Sequence, residues 1–282
     1  MYPLQLPSSS SSPLLTITRP SPVTWQIELH NGEDNRLTRD VIQSAFKPAL
    51  DIVEREWRQS WHALQSKPKG TKNAEDKNAV DGQGALIIVG KRGQDKFFSN
   101  GFDYQSVVSD PNWFPHTFDP LLLRLLTFPI PTVCAINGHC FAAGFIIALA
   151  CDYRVMTDGA KRNAWICMNE VHFGAPWPTS FAYLLRAKIS AMPTHRKIAQ
   201  EGHRFTPSEA LQSGIIDEVV PGGTEAVLSS ALKMAEAKAS TAKGGVWGLI
   251  ETEVYRDVIE GTKKEVRMVT LAMDDAAAKA RL

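Results

Sequence analysis

Apolar positions along the chain follow two alternating periods, one of two residues and one of three to four. Trp25 to His30 (WQIELH) alternates apolar and polar side chains, which predicts a strand closed by an Asn31-Gly32 turn. Val41, Ile42, Ala45, Phe46, Ala49, Leu50 and Val53 then recur at helical spacing, and Pro48 either kinks that helix or marks its real start. Ala85 to Val89 (ALIIV) is a short apolar run between glycines and predicts a strand buried on both faces. Phe97-Phe98 follow a turn and read as another strand end. Pro131 to Ile136 (PTVCAI) predicts the next strand, Asn137-Gly138 a turn, and the apolar stretch from about Ala142 to Cys151 a helix. Thr206-Pro207-Ser208-Glu209 has the residues of a capped helix start, with Glu209 placed to close a capping box. Gly214 ends that helix and IIDEVV resumes as a strand. From Thr224 the pattern is helical to the end, with Trp247, Ile250, Val254 and Val258 forming an apolar stripe.

Strand, turn and helix recur in this order several times, which predicts an α/β architecture. Three regions follow. Residues 1–20 are rich in Ser and Pro and read as a loosely ordered lead-in. Residues 21–223 form the α/β core, and 224–282 a separable C-terminal helical region. Within the core, residues 67–84 are polar, charged and Gly-rich, the pattern of a solvated surface loop.

Composition narrows the function. With 44% apolar and 22% charged residues in 282, the chain is long and apolar enough for one large core with an appendage, or for two modest domains. Lys and Arg number 31 against 30 Asp and Glu, which argues against a nucleic-acid binder that works by neutralising phosphates. No apolar run approaches the ~20 residues that span a bilayer. Cys134, Cys140, Cys151 and Cys167 show no CxxC or zinc-like spacing and read as buried free thiols, in a compartment that does not use disulfides. The first residues lack a basic segment before Arg19, a poor secretory or mitochondrial address. Ala280-Arg281-Leu282, small–basic–leucine, resembles the peroxisomal Ser-Lys-Leu address and predicts a peroxisomal import receptor as a partner; a frayed helix end is the plain alternative.

Two glycine turns are the candidate chemistry. In FFSNGFDY, Gly101 follows a strand end and permits the backbone to approach a ligand closely, leaving the Phe102 N–H free to face a cleft. In NGHCFAAG, small residues open a helix whose first N–H groups have no internal partner and lie at the positive end of the helix dipole. Such a start suits an anion or a developing oxyanion.

FFSNGFDY, PTVCAINGHCFAAGFIIALACDYRV and TPSEALQSGIIDEVV, in this order and spacing, resemble the crotonase (enoyl-CoA hydratase/isomerase) superfamily over roughly Trp25 to Val220. The resemblance implies a spiral of repeated ββα units with C-terminal helices that assemble trimers or dimers of trimers. It implies an oxyanion hole made by the N–H groups of Phe102 and Ala143, with Ser99, Gly101, Gly138, Gly144 and Ile146 around the substrate. The substrate it implies is an acyl-CoA thioester, with no cofactor beyond the coenzyme A that the substrate carries and no metal. Hydratases of this family use two glutamates; the position of the first is Ile146 here, whereas the second is Glu170. One carboxylate is enough to move a double bond, and NEVHFGAPWP resembles the monofunctional Δ3,Δ2-enoyl-CoA isomerases of unsaturated fatty-acid β-oxidation. An isomerase with Glu170 as its base is therefore the leading expectation. A hydratase or a specialised acyl-CoA enzyme is a second reading, and a non-catalytic acyl-CoA-binding protein a third.

The remaining polar residues read more plainly. His139 has the place of a turn histidine bonded to backbone, Asp103 that of a turn or cap, and Asp152 and Arg154 those of structural partners. His172 either bonds substrate or packs. Trp165 and Trp177 read as core before acyl-chain walls. Arg36, Lys91, Lys96, Lys263, Lys264 and Arg267 are all available for the CoA phosphates.

Overall fold

The computed structural model describes residues 2–66, 80–264 and 268–282. A seven-stranded sheet runs through the molecule in the order β1 (Leu4–Leu6), β2 (Leu15–Ser21), β3 (Thr24–Leu29), β4 (Ala85–Val89), β6 (Thr132–Ile136), β8 (Tyr153–Thr157) and β10 (Glu218–Val220). A second sheet holds β5 (Phe97–Ser99), β7 (His139–Phe141) and β9 (Ile166–Cys167). Strands β3, β4, β6, β8 and β10 pair in parallel, and so do β5, β7 and β9. Each pass of the chain thus lays one strand in the large sheet, turns sharply, and lays the next in the small one. This is the expected ββα spiral. The helices are α1 (Lys47–Gln65), α2 (Tyr104–Val108), α3 (Asp119–Leu126), α4 (Ala143–Ala150), α5 (Thr179–Lys188), α6 (Met192–Ala199), α7 (Pro207–Gln212), α8 (Thr224–Ala239), α9 (Trp247–Val254), α10 (Arg256–Lys263) and α11 (Leu271–Arg281).

Strand β4 explains the layering. Its side chains alternate sides, so Leu86 and Ile88 join the main core with Cys134 and Ile136, while Ala85, Ile87 and Val89 face α8. A strand buried on both faces reads as an unbroken apolar run, as ALIIV does. Helix α8 closes the second face through Val227, Ala231 and Ala235. Residues 224–239 are therefore part of the core, a correction to the separable region expected from 224 onward. Their small residues let the helix lie close on the sheet.

The lead-in also differs from expectation. β1 and β2 extend the sheet by antiparallel pairing, Leu4 opposite Ile17 and Leu15 opposite Leu29. Leu15 and Ile17 are wholly buried, and this period-two alternation outweighs the Ser and Pro around it. Pro48 marks a start: a π-helical turn from Val41 to Phe46 precedes it, and α1 proper begins at Lys47. The capping box at Thr206 and Glu209 is present, with both reciprocal bonds made. The IIDEVV segment is strand only from Glu218, although Ile215 and Ile216 are buried. All four cysteines are free and buried. Of the loop expected at 67–84, residues 67–79 lie outside the described residues.

Candidate active site

Three chain turns meet at one place. At the first, β5 ends at Ser99 and the chain reverses through Gly101, whose φ of +76° lies where side chains rarely go. A Cβ on Gly101 would stand 2.7 Å from the Ala142 Cβ and 3.3 Å from the Ala143 nitrogen, so this turn rests directly on the second. The Gly101 carbonyl accepts from Leu37 N–H at 2.8 Å. The next N–H, that of Phe102, donates to no other group among the described residues.

The second turn leads from β7 into α4. Ala142 adopts φ 51°, ψ −126°, a strained conformation for a residue with a Cβ, costing on the order of 1–3 kcal/mol. Its N–H donates to Cys167 O at 2.9 Å and its carbonyl accepts from Ile146 N–H at 3.1 Å, which pins it from both sides. The Ala143 N–H opens α4 and also donates to none of the described residues. Gly144 admits no side chain: a Cβ there would come within 2.8 Å of Ser99. Ser99 in turn donates to Asn35 O at 2.8 Å and accepts from Gly101 N–H at 3.3 Å. Gly138 is equally tight against Lys96 O. Ser99, Gly138 and Gly144 therefore lock the two turns together by close packing, and the Ser99 hydroxyl is committed to that task. Ile146 is buried on α4.

The third turn carries Glu170. β9 pairs with β7, Phe141 opposite Cys167, and so delivers the 3-10 turn Glu170–His172 beside the Ala142 corner. Glu170 is only 8% exposed, and its Oε2 has no hydrogen-bond partner among the described residues. Burial pushes its carboxyl up to about 7, against the opposing pull of its own backbone N–H and of the Trp177 side chain. A carboxyl held there is poised both to take and to return a proton at neutral pH.

An aromatic wall adjoins these turns. The Phe102 ring sits 4.7 Å from Phe118, 5.5 Å from Trp113 and 6.4 Å from Phe181 by ring centroids, and Trp177 lies 6.0 Å from Phe181. Trp177 thus touches both Glu170 and the wall, a role its sequence context did not reveal. Asn35 was also missed: it bonds Leu29 O and Phe98 O and ties β3 to β5 beneath Gly101.

The other polar residues have structural partners. His139 Nδ1 accepts from Trp165 N–H at 3.1 Å, its ring stacks on Trp165, and burial followed by nearby Arg162, Arg204 and Lys96 lowers its pKa. His172 packs against Gly202. Asp103 accepts from the Ser106 hydroxyl at the head of α2. Asp152 accepts from Thr132 N–H and hydroxyl, and Arg154 pairs with Asp217. Among the six cations, Arg36 donates to Phe102 O at 2.8 Å and so stands at the first turn; Arg267 lies outside the described residues.

Residues 73–276 match the family model for enoyl-CoA hydratase/isomerase. Enoyl-CoA delta isomerase 3 of Arabidopsis thaliana is 30% identical over 203 residues, which cover 69% of this chain and 80% of that protein. The peroxisomal enoyl-CoA delta isomerase 2 of the same plant is 31% identical over 186 residues, 62% of this chain and 75% of that one. A solved structure of a probable enoyl-CoA hydratase from Mycobacterium tuberculosis superposes with a TM-score of 0.67 at 22% identity, covering 95% of this chain and 97% of the other. The ββα spiral, the pair of locked glycine turns and these matches together establish that the chain belongs to the enoyl-CoA hydratase/isomerase (crotonase) family.

Proposed function

We propose that this protein is a Δ3,Δ2-enoyl-CoA isomerase acting on unsaturated fatty acyl thioesters during β-oxidation. The observation that carries the reading is the buried carboxyl of Glu170, one oxygen of which has no partner among the described residues, beside two turns whose Phe102 and Ala143 N–H groups have no described partner. Removing a C2 proton from a 3-enoyl thioester leaves a dienolate whose charge spreads onto the thioester oxygen. Glu170 takes that proton, the two N–H groups hold the oxygen, and Glu170 returns the proton to C4, so the double bond moves to C2 with no net gain or loss. Each donor is worth about 3–4 kcal/mol if its loss resembles that at other oxyanion holes. Ile146, where a hydratase would present its first glutamate, has no proton to give to or take from a water. The two Arabidopsis relatives, both named as enoyl-CoA delta isomerases, support the same choice.

The deciding assay follows conversion of 3-hexenoyl-CoA to 2-hexenoyl-CoA. Wild type turns over, and Glu170→Gln loses at least about a thousandfold in kcat while CoA-ester binding survives. Near-normal turnover in the variant would remove Glu170 from the mechanism. The hydratase name of the mycobacterial structure keeps a second reading in play, and hydration of crotonyl-CoA by wild type would favour it. Binding of thioesters without any turnover would favour a non-catalytic role.

Two further parts of the proposal concern setting. A homotrimer or dimer of trimers is supported by the outward apolar side of α9, where Leu249, Ile250 and Val254 are each more than half exposed. A peroxisomal location is supported by the name of one relative, the peroxisomal enoyl-CoA delta isomerase 2 of Arabidopsis thaliana.

A further inference from the structure

In the proposed mechanism Glu170 serves both C2 and C4, so the carbons beyond C4 continue past the turn that carries it. Inward, their way is filled. The Phe102 ring packs on Phe118, Trp113 and Phe181, all of them buried, and the Phe118 and Phe181 rings stand 5.9 Å apart. Outward, the first and third turns carry large apolar side chains. Tyr104 stands two residues beyond Phe102, at the start of α2, and Phe173 three residues beyond Glu170. The Phe173 N–H donates to Glu170 O at 3.2 Å and closes a 3-10 turn, in which residues three apart lie on one side. Phe173 therefore projects from the side of the turn that bears Glu170. Its ring meets the Tyr104 ring edge-on, with centroids 5.3 Å apart, so the pair bridges the first turn and the third. Leu271, at the head of α11, completes the group: its Cδ1 lies 3.7 Å from the point where a Cβ on Gly174 would stand.

Tyr104, Phe173 and Leu271 come from three separate parts of the chain and are 39%, 48% and 70% exposed. Val171, on the Glu170 turn itself, is exposed as well. Large apolar side chains that converge from distant segments make a surface that something apolar ordinarily covers. This surface is continuous with the Phe102 and Glu170 turns, so the molecule held by those turns is what covers it. The coenzyme A arm carries amides and phosphates, which apolar side chains cannot serve. An alkyl tail, in contrast, withdraws its surface from water by lying on them.

We infer that Tyr104, Phe173 and Leu271 form an apolar rail for the alkyl tail of the thioester beyond C4, and that the protein therefore selects long acyl chains over short ones. This rests on the acyl-thioester mechanism proposed above, but its test uses saturated thioesters and needs no turnover. Binding of acyl-CoA from C4 to C14 is measured by calorimetry. In wild type the affinity rises roughly two- to fourfold per added carbon beyond C6, the upper figure corresponding to full burial of a methylene. Phe173→Ser and Leu271→Ser each lower the C12-to-C4 affinity ratio about three- to tenfold. Leu211→Ser, at an exposed apolar position on α7, leaves that ratio as in wild type. Thermal melts confirm that the variants fold, and Leu271→Ser, the more exposed position, carries the test if Phe173→Ser does not. The inference is overturned if wild-type affinity is flat with chain length beyond C6. It is also overturned if both serine variants keep the wild-type ratio, the outcome expected of a tail threaded inward among the Phe102, Phe118 and Phe181 rings. An equal fall in Leu211→Ser overturns it too. Absence of binding at every length would overturn the thioester reading and this inference with it. A length preference in a protein inert toward 3-hexenoyl-CoA would remove isomerisation alone.

Discussion

In the proposed mechanism Glu170 couples activity to stability through one proton. Its carboxyl is raised by burial to about 7 from an ordinary value near 4.5, so the folded state holds a proton that the unfolded chain has already released. Stability therefore falls as pH rises from about 4.5 through 7, by on the order of 2–3 kcal/mol, and flattens above. The base is competent only when ionised, so kcat/KM rises through the same window. Denaturant melts and rate profiles between pH 4.5 and 8 should move in opposite directions in wild type. In Glu170→Gln the stability slope across this window shrinks and the variant is more stable than wild type at pH 8. A melt whose pH slope is unchanged in the variant would mean that the group is not desolvated. Ala142 is the other residue under tension. Its φ of 51° falls at the corner that presents the Ala143 N–H, where strain is held by bonds to Cys167 and Ile146 on either side.

At the scale of elements, α9 brings a carboxyl pair together at its inner side. Glu251 is buried beside Asp152 and is pushed up to about 11, first by burial and then by that neighbour, with Lys188 acting in the opposite sense. The unfolded chain ionises Glu251 near 4.5 and the folded one does not, so this contact loses stability as pH rises, including from 8 to 9 where Glu170 contributes little. Glu251→Gln keeps the neutral, hydrogen-bonding side chain and should narrow the difference in Tm between pH 8 and pH 9, read by scanning calorimetry. An unaltered difference would place the titration elsewhere. How much of this was legible in the sequence varied by element. The start of α4, the Gly101 turn and the Thr206 capping box were readable because each is specified by consecutive residues. Glu170 was readable only through its register with those turns. Asn35 was not, since 63 positions separate it from the Phe98 carbonyl it bonds and only the fold brings the two together. The β1–β2 hairpin was hidden for a related reason: two apolar residues in a Ser/Pro context gain their meaning from β3.

For the whole molecule, the apolar stripe expected on the C-terminal helices divides. Val258 turns inward and is 1% exposed, whereas Val246, Leu249, Ile250 and Val254 face outward together. Four large apolar residues on one side of a helix are a patch that soluble proteins ordinarily cover. If copies of this chain cover it, the double variant Leu249→Glu, Ile250→Glu should sediment as a monomer where wild type sediments as a trimer or larger. A monomeric wild type would end the proposal of self-assembly. The fold itself was readable at this scale because the ββα repeat writes the same strand–turn–helix pattern several times. The interlocking of α8 with the sheet was not, because nothing in a helical pattern says what it will cover.

The close approach of Gly101 to Ala142, and of Gly144 to Ser99, has a consequence for how such a protein can change. The two turns are jammed together by contacts that admit no added atom, while Glu170 stands on a separate turn and Ile146 on the next stretch of α4. In the proposed mechanism the half that receives the negative charge is thus rigid, and the residue that moves the proton stands apart from it. Under that mechanism, substitutions in the 169–173 turn and at position 146 change how the proton is handled and leave the packed turns in place. A side chain added at Gly101 or Gly144 would meet Ala142 or Ser99, and the cost of that collision falls on the charge-receiving half alone.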